Sequence, residues 1–244
     1  MSYQSMNTFH SVKSGKISGL IVQQIKNAIL DGTMKPGDRL PPERVLGERF
    51  QASRISVREG LKSLETSGLL TIKPGSGVFV AEVSSKPLSE SLSSILRIQN
   101  ASMNDITEAR IMLEPSIAKI ACDRITSEEL VKLERNIQET VTVLKSNSPA
   151  PIQNIQFHSI IANATHNPVI IMTMNPIFDV LKEMNLEMKG NIPKRIQISN
   201  HAVTYHKKIL KALRRRDSQK VYKLMLKDIA ELQDGLKRLR SKAE

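Results

Sequence analysis

The stretch between residues 40 and 67 constrains the fold more than any other part of this chain. Residues 40–44 (LPPER) and residues 53–59 (SRISVRE) predict two short helices joined by a tight turn. Arg54 and Arg58 are one helical turn apart, so both guanidinium groups leave the same helix face. Arginine can contact guanine bidentately, and serine can reach a phosphate or a base. The pattern is therefore typical of a helix-turn-helix whose second helix faces DNA.

The simpler alternative is that Arg54 and Arg58 form an ordinary solvated helix face. The sequence that follows favours DNA binding, because two β-prone runs, 69–73 (LLTIK) and 78–80 (VFV), flank the turn 74–77 (PGSG). These runs predict a hairpin. A hairpin placed directly after a helix-turn-helix forms a wing, whose tip can lie over a minor groove.

This order of elements resembles the winged-helix domain of the GntR family of bacterial transcription regulators, over residues 15–82 without a gap. The matching positions are Gly32, 36–38, 40–44, 53–54, 57–59, Leu61, 64–65, 68–69 and 75–80. Gly60 departs from the family, which usually has alanine there, and marks either a close backbone contact or a tolerated change. The DNA contacts expected from this segment are Arg44, Ser53, Arg54, Ile55, Ser56, Arg58, Lys73, Gly75, Ser76 and Gly77.

Composition narrows the class of partner. The net charge of +12 and the pI of about 9.9 favour a polyanion. Aromatic residues make up only 3% and Trp is absent, which disfavours base-stacking surfaces for RNA or single strands. No apolar run approaches about 18 residues, so no membrane-spanning helix is expected. The single cysteine, Cys122, is expected to be a buried and inert thiol, and the expected location is cytoplasmic.

The predicted fold is mainly α, with an N-terminal winged helix-turn-helix carrying a small β-hairpin wing and a C-terminal antiparallel α-helical bundle. The predicted divisions are a flexible tail over 1–14, a winged-helix domain over 15–82, a linker over 83–87 and an all-helical domain over 88–244. The predicted helices are 17–30, 43–50, 54–67, 88–99, 104–124, 127–147, 151–165, 169–189, 199–216 and 218–241. Residues 191–193 (NIP) are interpreted as a connection, and Asp217 as the cap of the last helix.

Two polar stretches of the predicted bundle differ from plain apolar packing. Asn154 and His158 are one turn apart on one helix, while His206 and Asp228 lie on two later helices. If these faces meet, two imidazoles, a carboxylate and an amide oxygen converge, and such a set can hold a divalent transition metal. The alternative is that each histidine is an ordinary core residue with a hydrogen-bond partner.

Residues 88–240 resemble the FCD ligand domain of FadR-like GntR regulators. The resemblance rests on residues 110–114 (RIMLE), Phe157-His158, Asn167-Pro168 and the segment around His206. It implies a metal, often zinc or nickel, that an aspartate and three histidines bind beside a carboxylate effector.

The family's ligand set is only partly present in this chain. His158 and His206 keep the family residue type, whereas Asn154 stands at the aspartate position and Asp228 at the last histidine position. We therefore expect a weakened metal site formed by His158, His206, Asp228 and Asn154, which either binds zinc or nickel or is empty.

Arg110 matches the family arginine that faces the effector cavity. A guanidinium pairs strongly with a carboxylate, so the expected effector contacts are Arg110, Asn154, His158 and His206. The alternative for Arg110 is an intrahelical pair with Glu114, one turn later. The remaining histidines and the basic run at the end of a late helix are expected to be surface or packing residues: His10, His166, His201 and 214–216.

Together these patterns predict a homodimeric, sequence-specific regulator that binds double-stranded DNA at a short inverted repeat and responds to a small organic acid. It would act as a repressor or an activator. Two alternatives are a DNA-binding dimer that has lost effector and metal sensing, and a helical metal-dependent hydrolase using His158, His206 and Asp228. The enzyme is not expected, because no residue supplies an obvious base or nucleophile.

Overall fold

The computed structural model describes residues 14–82, 86–187 and 191–240. The chain forms two compact units, Met1–Ser84 and Ser85–Glu244. Most of the predicted tail (1–14), most of the predicted linker (83–87) and His10 lie outside the described residues.

The N-terminal unit contains three helices followed by a two-stranded antiparallel sheet. These elements are α1 (Ser14–Leu30), α2 (Glu43–Phe50), α3 (Arg54–Thr66), β1 (Leu70–Lys73) and β2 (Gly77–Val80). The strand register pairs Leu70 with Val80 and Lys73 with Gly77, so the connecting turn is tight. The predicted winged helix-turn-helix is therefore confirmed.

Apolar residues from every element of this unit share one core, which consists of Ile21, Ile25, Leu40, Leu46, Val57, Leu61, Leu64, Leu70 and Val80. Helices α1 and α3 lie close together at Gly60. A Cβ added there would lie 3.2 Å from the Ile21 Cγ2 atom and 3.3 Å from the Ser18 carbonyl oxygen. The structure thus favours the close-contact interpretation of Gly60 over a tolerated change.

All the regular secondary structure in the described residues of the C-terminal unit is α-helical. Its elements are α4 (Lys86–Ile98), α5 (Met103–Arg124), α6 (Ser127–Lys145), α7 (Pro151–Asn163), α8 (Pro168–Glu187), α9 (Ile192–Arg214) and α10 (Ser218–Arg240). Helix α10 packs along α5 and α9, while α4 and α7 pack on α8. The predicted fold class is confirmed. Across the described residues, the helices lack the length and apolar character needed to cross a membrane.

Helix α9 begins at Ile192, whereas the sequence predicted a start at residue 199. The interpretation of residues 191–193 as a connection was wrong, because Pro193 lies in the first helical turn, where its missing N–H costs no hydrogen bond. Asn191 caps this turn, and its side chain accepts from the Lys194 amide at 3.3 Å. The predicted cap at Asp217 is confirmed by a 3.1 Å hydrogen bond from the Lys220 amide.

A row of three polar contacts joins α4 to α8. The contacts are Ser89 Oγ to Asp179 at 2.9 Å, Ser93 Oγ to Glu183 at 2.7 Å and Arg97 Nη2 to Glu187 at 2.5 Å. Both residue numbers rise together along the row, so α4 and α8 run in the same direction. The two serines are buried, so their hydroxyls need these carboxylate acceptors.

Candidate functional site

The first turn of α3 presents Arg54 and Ile55 to solvent, and the Ile55 side chain is 71% exposed. Ser53 caps the helix, since its hydroxyl accepts from the Ser56 amide at 3.1 Å and lies 3.0 Å from the Ser56 hydroxyl. Ser53 is exposed but Ser56 is buried. The position of Ser56 gives it a role in starting the helix, and its expected contact with DNA stays a prediction.

Arg58 is paired with Glu43 of α2, a contact that local spacing did not reveal. Its Nε lies 3.1 Å from Oε1 and its Nη2 lies 2.8 Å from Oε2 of Glu43. The hydrogen bond from Arg58 lowers the pKa of the Glu43 carboxyl. This bidentate pair joins the two helices of the motif, and the Arg58 side chain remains 72% exposed. Arg44 likewise pairs with Glu48 at 2.6 Å and stays exposed.

The wing turn depends on glycines with positive φ. Gly75 has φ +73° and Gly77 has φ +118°, and the Ser76 amide donates to the Lys73 carbonyl at 2.9 Å. A Cβ added at Gly75 would meet nothing within 4 Å, so the tip of the wing is open to solvent.

Arg39 lies against the wing, a position that the sequence patterns did not indicate. A Cβ at Gly77 would lie 2.9 Å from the Arg39 Nε atom. The Arg39 guanidinium is 5.9 Å and the Lys73 ammonium 5.1 Å from the centre of the Phe79 ring. Arg39 is brought there by backbone pairing, because the Leu40 amide donates to the Val78 carbonyl at 2.8 Å. The wing thus carries two cations beside one aromatic ring.

Three candidate ligands meet inside the C-terminal unit. His158 of α7, His206 of α9 and Asp228 of α10 each place one ligand atom within 4.8 Å of the others. The Nε2 atoms of His158 and His206 lie 3.4 Å and 3.5 Å from Oδ2 of Asp228. All three side chains are buried. The structure therefore brings together these three sequence-predicted ligands, while Asn154 is buried one turn before His158.

Glu114 of α5 extends this cluster to Arg110. Its Oε2 lies 2.6 Å from His158 Nδ1, and its Oε1 accepts a hydrogen bond from Arg110 Nε. Because Glu114 contacts Nδ1, the Nε2 atom of His158 faces Asp228, as in metal sites where a second carboxylate orients the histidine. Sequence spacing indicated the Arg110–Glu114 pair but not the contact with His158, which joins two separate helices.

Opposing effects of burial and charge set the protonation of this cluster. Burial raises the pKa of Glu114, but the Arg110 and His158 charges outweigh it and lower the pKa to about 2. Burial likewise raises the pKa of Asp228, but His206 and His158 outweigh it and hold this pKa below its ordinary range. Burial lowers the pKa of His206, which favours the neutral imidazole. For His158, the Glu114 charge overcomes burial and raises the pKa.

The polar atoms of the cluster fit a divalent cation. Among the described residues, neither ring nitrogen of His206 has a hydrogen-bond partner, although the ring is buried. Phe157 stacks on this ring with a centroid distance of 3.7 Å and holds it in place. A buried polar group without a partner is costly, and a metal at Nε2 would satisfy it. Two imidazoles and a carboxylate form a set that transition metals accept.

Two cavities of opposite electrostatic character adjoin this network. One, of about 50 Å³, is lined by Arg110 and Asn154 together with residues of α8 and α9 that include Arg195. The other, of about 630 Å³, lies between α9 and α10 and is lined by Asp228 with further acidic residues. The first suits an anion, whereas the second gives access to the Asp228 end of the cluster. The two remaining described histidines lie outside the cluster of His158, His206 and Asp228: His166 contacts Glu129 and His201 contacts Glu231.

Comparison with known proteins assigns the N-terminal and C-terminal units to known domain families. Residues 18–80 match the bacterial regulatory proteins of the gntR family, and residues 105–231 match the FCD domain. The Uxu operon transcriptional regulator of Escherichia coli K12 is 31% identical over 206 residues, covering 80% of this chain and 77% of that protein. The HTH-type transcriptional regulator LutR of Bacillus subtilis is 29% identical over 161 residues, covering 66% and 74%. The solved structure of Streptococcus agalactiae GntR has the same fold, with a TM-score of 0.71 at 24% identity, and covers 89% of this chain and 99% of that chain.

Proposed function

The chain belongs to the GntR family of bacterial regulatory proteins and carries an FCD domain, and from this premise we propose that it is a DNA-binding transcriptional regulator controlled by a small organic acid. The relatives reported above are named as transcriptional regulators, so the chain is a regulator and not an enzyme. The observation that carries the effector proposal is the cavity lined by Arg110, next to a buried cluster suited to a metal.

DNA recognition in this proposal begins with Arg54 at the exposed start of α3. Its guanidinium contacts a guanine edge in the major groove. Arg44 and Arg58, whose ion pairs leave their outer N–H groups exposed, contact phosphates. Lys73 and Arg39 place the wing along the backbone beside the adjoining minor groove. Sequence is read by the recognition helix, while the other cations set its position.

A second copy of the chain completes the proposed DNA-binding unit, because an inverted repeat requires two symmetry-related recognition helices. The C-terminal unit offers an apolar groove of about 760 Å³ formed by α4, α5 and α8 for this contact. Leu88 and Val169 on its rim are 48% and 72% exposed. Burial of this groove against a second copy of the chain would remove apolar surface from water, which stabilises the contact by about 25 cal/mol per Å² of surface buried.

The proposed metal is zinc or nickel bound by His158, His206 and Asp228. Asn154, a neutral and weaker donor than aspartate, lies on the same side of α7 as His158. Glu114 fixes which nitrogen of His158 faces the ligand set. When bound, the metal supplies a Lewis-acid position for an effector carboxylate oxygen. Arg110, although paired with Glu114, lines the small cavity together with Asn154 and keeps donors for an effector carboxylate there.

Control of DNA binding requires that the effector bind one conformation better than another. Helix α8 lines the effector cavity through Leu181 and Asn185, and its polar contacts with Ser89 and Ser93 hold α4. Helix α4 is the first element of the C-terminal unit and follows directly after residues 83–85. A shift of α8 on effector binding therefore displaces the segment that leads to the DNA-binding unit.

A second candidate is a DNA-binding dimer that has lost effector and metal sensing. Two observations favour it: the family's aspartate ligand is replaced by Asn154, and Arg110 already has Glu114 as its counter-ion. In that case the buried network would serve only the stability of the fold.

The test combines operator selection with effector titration. Protein would be used to select duplexes from a random pool, and fluorescence anisotropy would then follow binding to the selected DNA with and without short carboxylic acids. We expect an inverted repeat whose affinity changes by a factor of about 5–150 when the effector is present. Binding without sequence preference would contradict the proposal. Specific binding that no acid alters would instead support the dimer that has lost sensing.

A further inference from the structure

One apolar side chain lies on the face of α3 that is turned to solvent. The other apolar residues of this helix, Val57, Leu61 and Leu64, are buried in the core of the N-terminal unit. Ile55 is instead 71% exposed. The remaining exposed positions of α3 are all polar, and they are Arg54, Arg58, Glu59, Lys62, Ser63 and Thr66. Contact with a surface that removes Ile55 from water is therefore favourable.

The first turn of α3 fixes the direction of the Ile55 side chain. The Ser53 hydroxyl accepts from the Ser56 amide at 3.1 Å, and this cap holds the turn in which Ile55 is the second residue. Cα–Cβ bonds tilt towards the N-terminus of a helix, so Ile55 projects towards the same end as Arg54. Branching at Cβ restricts isoleucine mainly to one χ1 rotamer in a helix, so little side-chain entropy is lost on contact.

Positive charge around Ile55 favours a nucleic acid as the contacting surface. Arg54 precedes Ile55, and Arg58 follows three positions later on the same side of the helix. Arg58 is paired with Glu43, but its side chain stays largely exposed. A second copy of this face would bring like charges together, whereas phosphates flank the major groove of DNA. On the base edges in that groove, the apolar group is the C5 methyl of thymine.

We propose that Ile55 selects a thymine in each half-site of the operator by contact with the C5 methyl group. This inference rests on the proposed function, because it names a base that the same recognition helix reads. Arg54 reads guanine through hydrogen bonds in that proposal, whereas Ile55 acts by removing two apolar groups from water. The two contributions are chemically distinct, so loss of the methyl group alone tests the second one.

The test uses the full chain and the duplex that it selects from a random pool. Each thymine of one half-site is replaced in turn by deoxyuridine, which lacks the C5 methyl and keeps the same pairing with adenine. Fluorescence anisotropy measures the affinity for every duplex. We expect one position at which the affinity falls by about three- to tenfold, because burial of one methyl group contributes about fourfold and the isoleucine carbons that it covers contribute further.

Three substitutions on α3 assign this effect to Ile55. Ile55→Ala should bind the thymine and deoxyuridine duplexes equally at that position, and it should fold normally because alanine favours a helix. Ile55→Val keeps both branches at Cβ and should retain most of the preference for thymine. Ser63→Ala shortens another exposed side chain of the same helix and should leave the preference unchanged.

The outcomes separate this inference from the proposed function. Selected half-sites without thymine, or equal binding of every deoxyuridine duplex by the unaltered protein, would overturn the role of Ile55 while sequence-specific binding stands. A preference for thymine of the same size in Ile55→Ala would also overturn it, because the methyl group would then act through the shape of the duplex or through another residue. Selection of duplexes without any sequence preference would refute both proposals.

Discussion

Substitution of Glu114 by glutamine tests the buried network of Arg110, Glu114 and His158 beside the proposed effector site. Glutamine keeps the size of the side chain but removes the charge between Arg110 and His158, so Arg110 is left buried without a counter-ion. Breaking a buried pair in this way typically costs about 3–5 kcal/mol. The pKa of Glu114 gives an independent figure, because a fall from 4.5 to about 2 corresponds to roughly 3 kcal/mol at neutral pH. We therefore expect a loss of about 3 kcal/mol.

Urea denaturation at pH 7 measures this loss as the difference in the free energy of unfolding. The matched control is Glu187→Gln, because the Arg97–Glu187 pair is 57% and 59% exposed and such pairs contribute about 0–1 kcal/mol. The folded-state pKa of Glu114 lies below its ordinary value of 4.5. Its stabilisation is consequently present above pH 4.5 and is lost as the pH falls towards 2.

The difference between the original protein and Glu114→Gln should shrink over that acidic range. Between pH 7 and pH 5 it should instead grow as the pH falls, because the Glu114 charge raises the pKa of His158 in the original protein. If Glu114→Gln is as stable as Glu187→Gln at pH 7, or if their difference does not depend on pH below 4.5, the account of the buried network is refuted.

Three further predictions concern packing, metal binding and assembly. Gly60→Ala should lower the free energy of unfolding by about 1–3 kcal/mol, because the added Cβ meets α1. In Gly19→Ala the added Cβ meets nothing within 4 Å, so the better helix propensity of alanine should raise the free energy of unfolding by about 1 kcal/mol. Urea denaturation measures both changes. His158→Ala should abolish the rise in Tm that zinc produces in the unaltered protein, and an equal rise in both would exclude His158 as a ligand. Val169→Asp should convert a dimer to a monomer in sedimentation velocity, whereas Val131→Asp, at an exposed apolar position of α6, should not; a dimer in both cases would exclude the groove as the interface.

Local sequence patterns predicted the elements that local chemistry determines. Ser53 and Asp217 were identified as caps because a short polar side chain can accept from the nearby backbone amides, and both contacts are present. The start of α9 was missed because Pro193 was taken as a break. In the first turn proline is compatible with a helix, and Asn191 supplies the cap.

Contacts between distant segments were the part that spacing could not provide. The pairing of Arg58 with Glu43, and of His158 with Glu114, depends on how two helices pack. Arg39 reaches the wing through a backbone bridge to Phe79. Arg195 lies on a turn of α9 that the sequence did not predict to be helical, so its place in the lining of the small cavity was missed as well.

The central claim is that the exposed start of α3 reads the sequence of a DNA duplex through Arg54. The most direct measurement is the ratio of specific to non-specific DNA affinity for Arg54→Ala, compared with Lys62→Ala, which removes a charge farther along the same helix. The account predicts a ratio lower by about ten- to a hundred-fold in Arg54→Ala and an unchanged ratio in Lys62→Ala. An unchanged ratio in Arg54→Ala, with both variants weakened equally on all DNA, would contradict it.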